Sequence, residues 1–243
     1  MTASPVGGSS EGILRYGDHP DQRIELSHPR ERRRGVAALI HGGYWRAPFT
    51  AGLMRPLAPA LLEAGWLVAN IEYRRAGDGW AATRDDVAAA LTSVRAWDPT
   101  SELLIIGHSV GGQLALLNGR AGDAIVALAP VTDLVAAYRE GSGDGAVEEF
   151  LQASPESRPD LFAEASPIAH IPPPGDVLVV HGCDDARVPV TQSRAYVAAS
   201  RAAGRDIAFL ELPSLPHLDA IDPSAPHWRD VFAWLERGRA ASV

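Results

Sequence analysis

Apolar residues occur along this chain in short continuous runs, separated by longer stretches of helical periodicity. The runs that indicate buried strands lie at 36–40, 66–71, 103–106, 124–128, 177–180 and 207–212. Helical stretches, such as 83–96 and 190–203, lie between them. Strands that alternate with helices favour a mostly parallel sheet that is covered by helices on both faces. The pattern therefore predicts an α/β fold with a buried central sheet.

Three segments depart from this alternation. Residues 1–10 are rich in glycine and serine and predict a flexible tail. The short extended segments 12–16 and 23–26 predict an edge hairpin. The stretch 131–174 is too short for an independent domain, but it follows a strand at the carboxyl edge of the sheet. We therefore expect it to form a small, cap-like helical insertion over that edge.

Composition narrows the class of protein without defining its chemistry. At 243 residues, with 46% hydrophobic and 21% charged residues, the chain can bury one sizeable core in a single domain. A formal charge of −8 argues against a nucleic-acid or anionic-membrane partner. The single cysteine, Cys183, excludes an intramolecular disulfide. Neither a signal peptide nor a membrane-spanning run is predicted, so the expected location is the cytoplasm.

The pentapeptide GHSVG at 107–111 is the strongest chemical signal in the sequence. It joins the predicted strand at 103–106 to a helical stretch that begins at Gly112. In this strand-turn-helix context, G-x-S-x-G is a nucleophile elbow, which presents a serine hydroxyl on a sharp turn. A second match at 8–12 has neither a strand before it nor an apolar helix after it. The context predicts Ser109 as the nucleophile and argues against Ser10.

The acid of a triad should follow a buried strand beyond the elbow, because this fold orders its residues as Ser, then Asp or Glu, then His. The strand at 177–180 leads into HGCDDARVP at 181–189, which offers both Asp184 and Asp185. We favour Asp185, because the spacing HG-x-x-D-x-x-VP leaves a short turn before the helix that opens near Pro189. In that case Asp184 is a solvated turn residue or a cap.

The base should lie between the last strand and the final helix. Of the eight histidines, His217 has this position. His170 precedes the acid and would break the chain order. His227 falls inside the closing helix, which Asp222 and Pro223 are expected to start as N-cap and first-turn proline. His217 is therefore the predicted base.

An oxyanion hole needs backbone N–H groups, one from the residue after the nucleophile and one from the loop after an early strand. Val110 supplies the first. The sequence HGGYW at 41–45 is the predicted source of the second, because the adjacent Gly42 and Gly43 let backbone amides approach a ligand closely. A simple glycine-rich turn is the alternative interpretation of this loop. Tyr44 and Trp45 follow the glycines and are predicted to bind an aromatic part of the substrate, unless both rings only pack the loop.

Four segments together carry a family resemblance: HGGYWR at 41–46, GHSVGGQLAL at 107–116, HGCDDARVPVTQS at 181–193 and PHLDAIDP at 216–223. They resemble the arylformamidase (kynurenine formamidase) group of α/β-hydrolases over most of the chain beyond residue 35. The resemblance implies an α/β-hydrolase fold, here a single domain at 11–243. It also implies Ser109, Asp185 and His217 as the triad, and the loop at 42–44 as the oxyanion site.

The expected activity is hydrolysis of a carboxylic amide or ester through an acyl-serine intermediate. The resemblance implies cleavage of the formamide of N-formylkynurenine, or of a related aryl formamide, in preference to short acyl esters, and a role in tryptophan catabolism. The alternatives are a general short-chain carboxylesterase and a non-catalytic ligand-binding protein on the same scaffold. We expect a small-molecule substrate and no metal or organic cofactor. The oligomeric state is left open.

Overall fold

The protein is described by a computed structural model that covers residues 11–32, 34–99 and 101–240. The tail predicted at 1–10, and with it Ser10, lies outside the described residues. None of the helices in these ranges is long and apolar enough to cross a membrane.

The core of the fold is one sheet of eight strands in the order β1-β2-β4-β3-β5-β6-β7-β8. The first two strands form the predicted edge hairpin and pair antiparallel, and β2 also pairs antiparallel with β4. All other neighbours pair parallel. The predicted, mostly parallel α/β sheet is confirmed. The strands are β1 (Glu11–Arg15), β2 (Arg23–Ser27), β3 (Val36–Ile40), β4 (Leu67–Glu72), β5 (Leu103–His108), β6 (Ala124–Leu128), β7 (Asp176–Gly182) and β8 (Ala208–Leu212).

Helices cover both faces of this sheet. They are α1 (Ala58–Glu63), α2 (Gly79–Trp97), α3 (Val110–Asn118), α4 (Leu134–Arg139), α5 (Ser142–Leu151), α6 (Pro159–Ala165), α7 (Thr191–Ala202) and α8 (His227–Ala240). Short 3-10 helices span Ala51–Leu57, Ala76–Asp78, Pro167–His170 and His217–Ile221. The first turn of α5 is left-handed, because Gly143, Asp144 and Gly145 have φ angles of 65°, 56° and 76°.

Two apolar cores result, one on each face of the sheet. Successive side chains of a strand point to opposite faces, so each central strand contributes to both cores. In β5, Ile105 packs with residues of α2, α3 and α7, whereas Leu104 packs with residues of α1 and α8. Burial on both faces explains why the central strands appear in the sequence as continuous apolar runs.

The segment between β6 and β7 forms the predicted helical insertion, α4 to α6. It packs on the α2–α3 face of the sheet, where Phe150 and Phe162 are buried. Polar contacts also anchor it, since Gln113 of α3 donates its side-chain N–H to the carbonyl of Ala165 at 2.7 Å. The insertion is thus attached to the main core by both apolar and polar contacts.

The closing helix begins later than the sequence suggested. Helix α8 starts at His227, so Asp222 and Pro223 do not form its N-cap and first turn. The Asp222 carboxylate instead accepts hydrogen bonds from the N–H and the hydroxyl of Ser224, at 2.9 and 2.7 Å. Asp222 therefore caps a local turn, and α8 begins only after this turn.

Candidate active site

Ser109 lies on the sharp turn between β5 and α3, as the motif predicts. Its φ and ψ angles are 57° and −119°, a conformation that costs a non-glycine residue energy and needs support from its surroundings. That support comes from the backbone. The N–H of Ser109 donates to Leu128 at 2.8 Å, and its carbonyl accepts from Gln113 at 3.1 Å and from Val131 at 3.3 Å. The neighbouring strand and the following helix therefore hold the serine in this conformation.

The two glycines of the motif are required by close backbone approaches. A Cβ atom on Gly107 would lie 2.0 Å from the carbonyl oxygen of Gly111. A Cβ atom on Gly111 would lie 2.0 Å from the carbonyl oxygen of Ile40 at the end of β3. Both distances are far inside van der Waals contact. Strand β5, helix α3 and strand β3 can meet at the elbow only because these positions carry no side chain.

The predicted acid and base are in direct contact. The Nδ1 atom of His217 lies 2.7 Å from Oδ2 of Asp185, and both residues are buried. The other carboxylate oxygen of Asp185 accepts backbone N–H groups of Arg187 and Val188, at 2.8 and 3.0 Å. Because the carboxylate can only accept, Nδ1 of His217 carries the proton. The Nε2 atom is then left with a lone pair, as a general base requires.

The charge state of Asp185 follows from its partners. Burial by itself raises the pKa of this carboxyl, but hydrogen bonds from His181 and His217 outweigh that effect and hold the pKa well below its usual range. The Nε2 atom of His181 lies 3.4 Å from the same carboxylate oxygen that His217 contacts. Asp185 is therefore an ionised residue that can orient the imidazole of His217.

Asp184 is exposed and has a different set of partners. Its carboxylate accepts the hydroxyl of Ser214 at 2.6 Å and the backbone N–H of Leu215 at 2.7 Å. Both donors belong to the loop that leads into His217. This is the capping role that the sequence left as the alternative for Asp184. The Asp184 carboxylate thus fixes the loop before His217.

His108 connects the elbow to the base. Its Nε2–H donates to the backbone carbonyl of His217 at 2.9 Å, and the centroids of the two rings are 4.5 Å apart. Burial lowers the pKa of His108 to about 3, so the ring is neutral at physiological pH. Among the described residues, the Ser109 hydroxyl forms no hydrogen bond to His217. Sequence reasoning did not identify the contact made by His108.

The loop predicted to supply the oxyanion amides lies directly against the nucleophile. A Cβ atom on Gly42 would come within 2.9 Å of the Cβ atom of Ser109. Gly43, Tyr44 and Trp45 all have positive φ angles, of 120°, 56° and 55°. Val110 is the first residue of α3, where a backbone N–H has no partner within the helix. Both predicted amide sources thus border Ser109.

Tyr44 and Trp45 have different surroundings. Tyr44 is half-buried and lines a cleft of about 390 Å³ whose other walls are Glu140, Gly141, Ser142, Gly143, Asp144, Ala186, Arg187 and Pro189. Trp45 is only 3% exposed and stacks on Phe150, with ring centroids 5.0 Å apart. Phe150 of the helical insertion covers the ring of Trp45, so the prediction that Trp45 contacts substrate is corrected to a packing role.

A second depression, of about 300 Å³, adjoins the predicted base. It is lined by Asp184, Ala186, Arg187, Pro216, His217, Leu218 and Asp219. Ala186 and Arg187 border both this depression and the Tyr44 cleft. Arg187 was not among the predicted site residues, although its position two residues after Asp185 could have indicated it. Within the described ranges, no group of three or more histidine, cysteine or acidic side chains is suited to hold a metal ion.

The chain is similar in sequence to proteins that are named as esterases. The chain is 32% identical to Esterase LipQ of Mycobacterium tuberculosis over 88% of its length, and 27% identical to Esterase LipC of the same organism over 85%. It spans 56% and 59% of the lengths of these two relatives.

Solved structures share the fold. A truncated carbohydrate esterase from gut microbiota superposes with a TM-score of 0.82 at 21% identity, covering 95% of this chain and 96% of the other. Esterase B of Lactobacillus rhamnosis superposes with a TM-score of 0.79 at 18% identity, covering 96% of this chain and 85% of the other. These likenesses establish the α/β-hydrolase fold.

A family model covers most of the region that builds the site. The model is described as BD-FAE and matches residues 24–199, which include the loop after β3, the elbow and Asp185. The arylformamidase group that the sequence motifs resemble is not the family matched. The chain therefore belongs to the BD-FAE family, on an α/β-hydrolase fold.

Proposed function

We propose that the protein is a serine carboxylesterase that hydrolyses short acyl esters through an acyl-serine intermediate. The observation that carries this proposal is the buried pair of Asp185 and His217. The ring of His108, the residue before the strained Ser109, ties this pair to the elbow through the backbone carbonyl of His217. A non-catalytic binding protein would gain nothing from a buried, ionised carboxylate that holds one histidine tautomer. Similarity to proteins named as esterases adds support.

In the proposed reaction, His217 takes the proton of the Ser109 hydroxyl through Nε2 while the serine oxygen attacks the ester carbonyl. The ionised Asp185 stabilises the imidazolium that forms. The imidazolium then returns the proton to the leaving alcohol, which leaves an acyl group on Ser109. A water molecule, deprotonated by the same histidine, attacks this acyl group and releases the carboxylic acid.

The oxyanion of each tetrahedral intermediate would be stabilised by backbone N–H groups of Val110 and of the loop at 42–44. Gly42 borders Ser109, and Val110 starts α3 with an N–H that lacks a helical partner. The amides of Gly43 and Tyr44 belong to the same turn, in which the N–H of Arg46 donates to the carbonyl of Gly43. This arrangement uses protein groups alone.

An ester is a better match to the site than an aryl formamide. The formamide hypothesis relies on an aromatic wall made by Tyr44 and Trp45, and the ring of Trp45 is covered by Phe150. Tyr44 alone faces the cleft, among polar and charged neighbours. N-formylkynurenine stays a second candidate substrate, because Tyr44 could contact its ring.

The test is a comparison of kcat/KM for p-nitrophenyl acetate, p-nitrophenyl butyrate, an acetylated sugar and N-formylkynurenine. We expect the best ester to exceed N-formylkynurenine by 10-fold or more, equivalent to about 1.4 kcal/mol of transition-state preference. Ser109→Ala should abolish both turnover and labelling by a fluorophosphonate probe, and Ser10→Ala should change neither. A preference for N-formylkynurenine would restore the arylformamidase assignment. Binding of these compounds without turnover would favour the non-catalytic alternative.

A further inference from the structure

A buried polar cluster lies behind the loop at 42–44 and takes no part in the triad. We call it the His41 cluster; it consists of His41, Glu72, Tyr73 and Arg75. The first three are fully buried and Arg75 is 6% exposed. His41 follows β3, and the other members lie at or just beyond the end of the neighbouring strand β4. Burying this much polarity is costly, so each group should have a partner that compensates.

Several of these partners are carbonyl groups of the loop itself. The hydroxyl of Tyr73 donates to the carbonyl of His41 at 2.7 Å. The Nδ1–H of His41 donates to the carbonyl of Gly42 at 2.7 Å. The next carbonyl, that of Gly43, accepts the N–H of Arg46 at 2.9 Å. The carbonyl oxygens of three successive residues, 41–43, therefore each accept a hydrogen bond.

Holding these oxygens also fixes the direction of the following N–H groups. In a trans peptide the C=O and N–H bonds point in opposite directions. The bond from Tyr73 therefore orients the N–H of Gly42, and the bond from the His41 ring orients the N–H of Gly43. Gly42 lies against Ser109, so the peptide groups on either side of Gly42 are held at the edge of the loop that borders the nucleophile.

Glu72 fixes the ring of His41 from the other side. Its carboxylate lies 3.1 Å from Nε2 of His41 and 2.8 Å from the guanidinium of Arg75, and it accepts the N–H of Ala51 at 3.0 Å. Burial raises the pKa of Glu72, but its hydrogen bond and charge interaction with His41, with the bonds from Ala51 and Arg75, bring the pKa below its usual value. Both ring nitrogens of His41 thus face oxygen atoms, which fixes the orientation of the ring. The ring also stacks on Tyr73 at 4.4 Å.

We infer that Tyr73 and His41 are positioning residues that aim the backbone amides of the loop at the oxyanion. The inference rests on the proposed esterase function. Neither side chain contacts the substrate; each acts through one peptide group. Because the amides contact an oxygen that becomes negative only in the transition state, misdirected amides should lower kcat more than they raise KM.

Tyr73→Phe is the sharpest test, because it removes one hydroxyl and keeps the ring. We expect kcat on p-nitrophenyl butyrate to fall about 10-fold with KM changed less than about twofold, a smaller loss than removal of a whole oxyanion donor. The rate constant for phosphonylation of Ser109 by a fluorophosphonate should fall by a similar factor, since that reaction also develops charge on an oxygen.

Tyr16→Phe is the matched control. The hydroxyl of Tyr16 donates to the backbone carbonyl of Glu72 at 2.6 Å, so this variant also loses one tyrosine-to-carbonyl hydrogen bond, but one whose acceptor is on β4 and not in the loop after β3. Both variants should lower the thermal unfolding midpoint, but Tyr16→Phe should keep the wild-type kcat. If the two variants have the same kcat, the positioning role is overturned.

A second pair of variants tests His41. Asn at position 41 keeps an N–H near the place of Nδ1, so His41→Asn should retain more kcat than His41→Ala. Equal kcat values for these two folded variants would contradict the role of the ring. A wild-type protein that neither hydrolyses the esters nor reacts with the fluorophosphonate would overturn the proposed function itself. A wild-type esterase with an unaffected Tyr73→Phe variant would overturn this inference alone.

Discussion

At the scale of single residues, the adjacent aspartates show how environment assigns chemistry. Asp184 and Asp185 are identical side chains one residue apart, yet only Asp185 is buried and bonded to His217. Asp184 faces solvent and holds the loop that leads into His217. Removing the charge of Asp185 should therefore affect the reaction, whereas removing the charge of Asp184 should affect the loop.

Asp185→Asn should lower kcat on the order of 10⁴-fold, because an amide can favour the wrong tautomer of the base, as the corresponding change does in serine proteases. Asp184→Asn should lower kcat only about twofold to fivefold, since the amide oxygen can still accept one of the two hydrogen bonds. Steady-state kinetics on p-nitrophenyl butyrate measures both. A larger loss for Asp184→Asn would transfer the acid role to that residue.

His108 gives a prediction about pH and stability. Its pKa in the folded protein, about 3, lies below the value of 6.5 for an unfolded histidine, because burial disfavours the imidazolium. The unfolded chain therefore takes up this proton first as the pH falls. The contribution of His108 to the free energy of unfolding is therefore fully present above about pH 6.5. It is lost progressively as the pH falls towards 3.

His108→Gln removes this titration while keeping an N–H that can reach the carbonyl of His217. Between pH 6.5 and 4.5, the wild type should lose roughly 1 kcal/mol of unfolding free energy per pH unit more than the variant. Urea unfolding at three pH values in this range measures the difference. Parallel pH dependence of the two proteins would contradict the buried neutral state of His108.

At the scale of elements, the elbow depends on how closely a strand, a turn and a helix approach one another. Strand β3 ends at Ile40, whose carbonyl lies where a side chain on Gly111 would have to be. The helical insertion also supports the site, because Phe150 stacks on Trp45 and Glu149 pairs with Arg46 at 2.6 Å. The loop after β3 is thus fixed between the elbow and the insertion.

Gly111→Ala should displace α3 from β3, and with it Ser109. We expect a fall in the thermal unfolding midpoint and loss of most fluorophosphonate labelling, because a Cβ atom 2.0 Å from the carbonyl of Ile40 cannot be accommodated without backbone movement. Gly77→Ala is the matched control, since nothing lies within 4 Å of a Cβ atom there. Normal stability and labelling in Gly111→Ala would show that the elbow is more adaptable than its geometry indicates.

At the scale of the whole molecule, two cores share a single sheet. Leu104 and Ile105 are neighbours in β5, both fully buried, but they belong to opposite cores. If β5 unfolds, both cores lose a central strand. The prediction that residues 11–243 form one domain therefore implies that both cores unfold together.

Leu104→Ala and Ile105→Ala should each lower the free energy of unfolding by about 2–5 kcal/mol, as expected for a fully buried aliphatic side chain. Both substitutions should shift the same single unfolding transition. Far-UV circular dichroism and tryptophan fluorescence should give coincident midpoints for the wild type and for both variants. If one substitution shifts only one of two separate transitions, the two faces unfold independently and the single-domain prediction is wrong.

The sequence by itself determined where the main strands lie and in which order the candidate triad residues follow one another along the chain. Strands β3 and β6 have the predicted bounds, because a strand buried on both faces needs a continuous apolar run. The elbow was identifiable because Gly107 and Gly111 flank Ser109 at fixed offsets between a predicted strand and a predicted helix. The chain order of Ser109, Asp185 and His217 follows from the connectivity of the fold. These features depend on periodicity, turn chemistry and connectivity, which a sequence states directly.

Only the tertiary structure decided between side chains that are equivalent in the sequence. Asp185 differs from Asp184 because His217, from the loop after β8, reaches only one of them. Trp45 is packed because a distant helix brings Phe150 onto its ring. The His41 cluster exists because the parallel strands β3 and β4 end side by side. Contacts between residues far apart in the chain assign these roles, and no local pattern records such contacts.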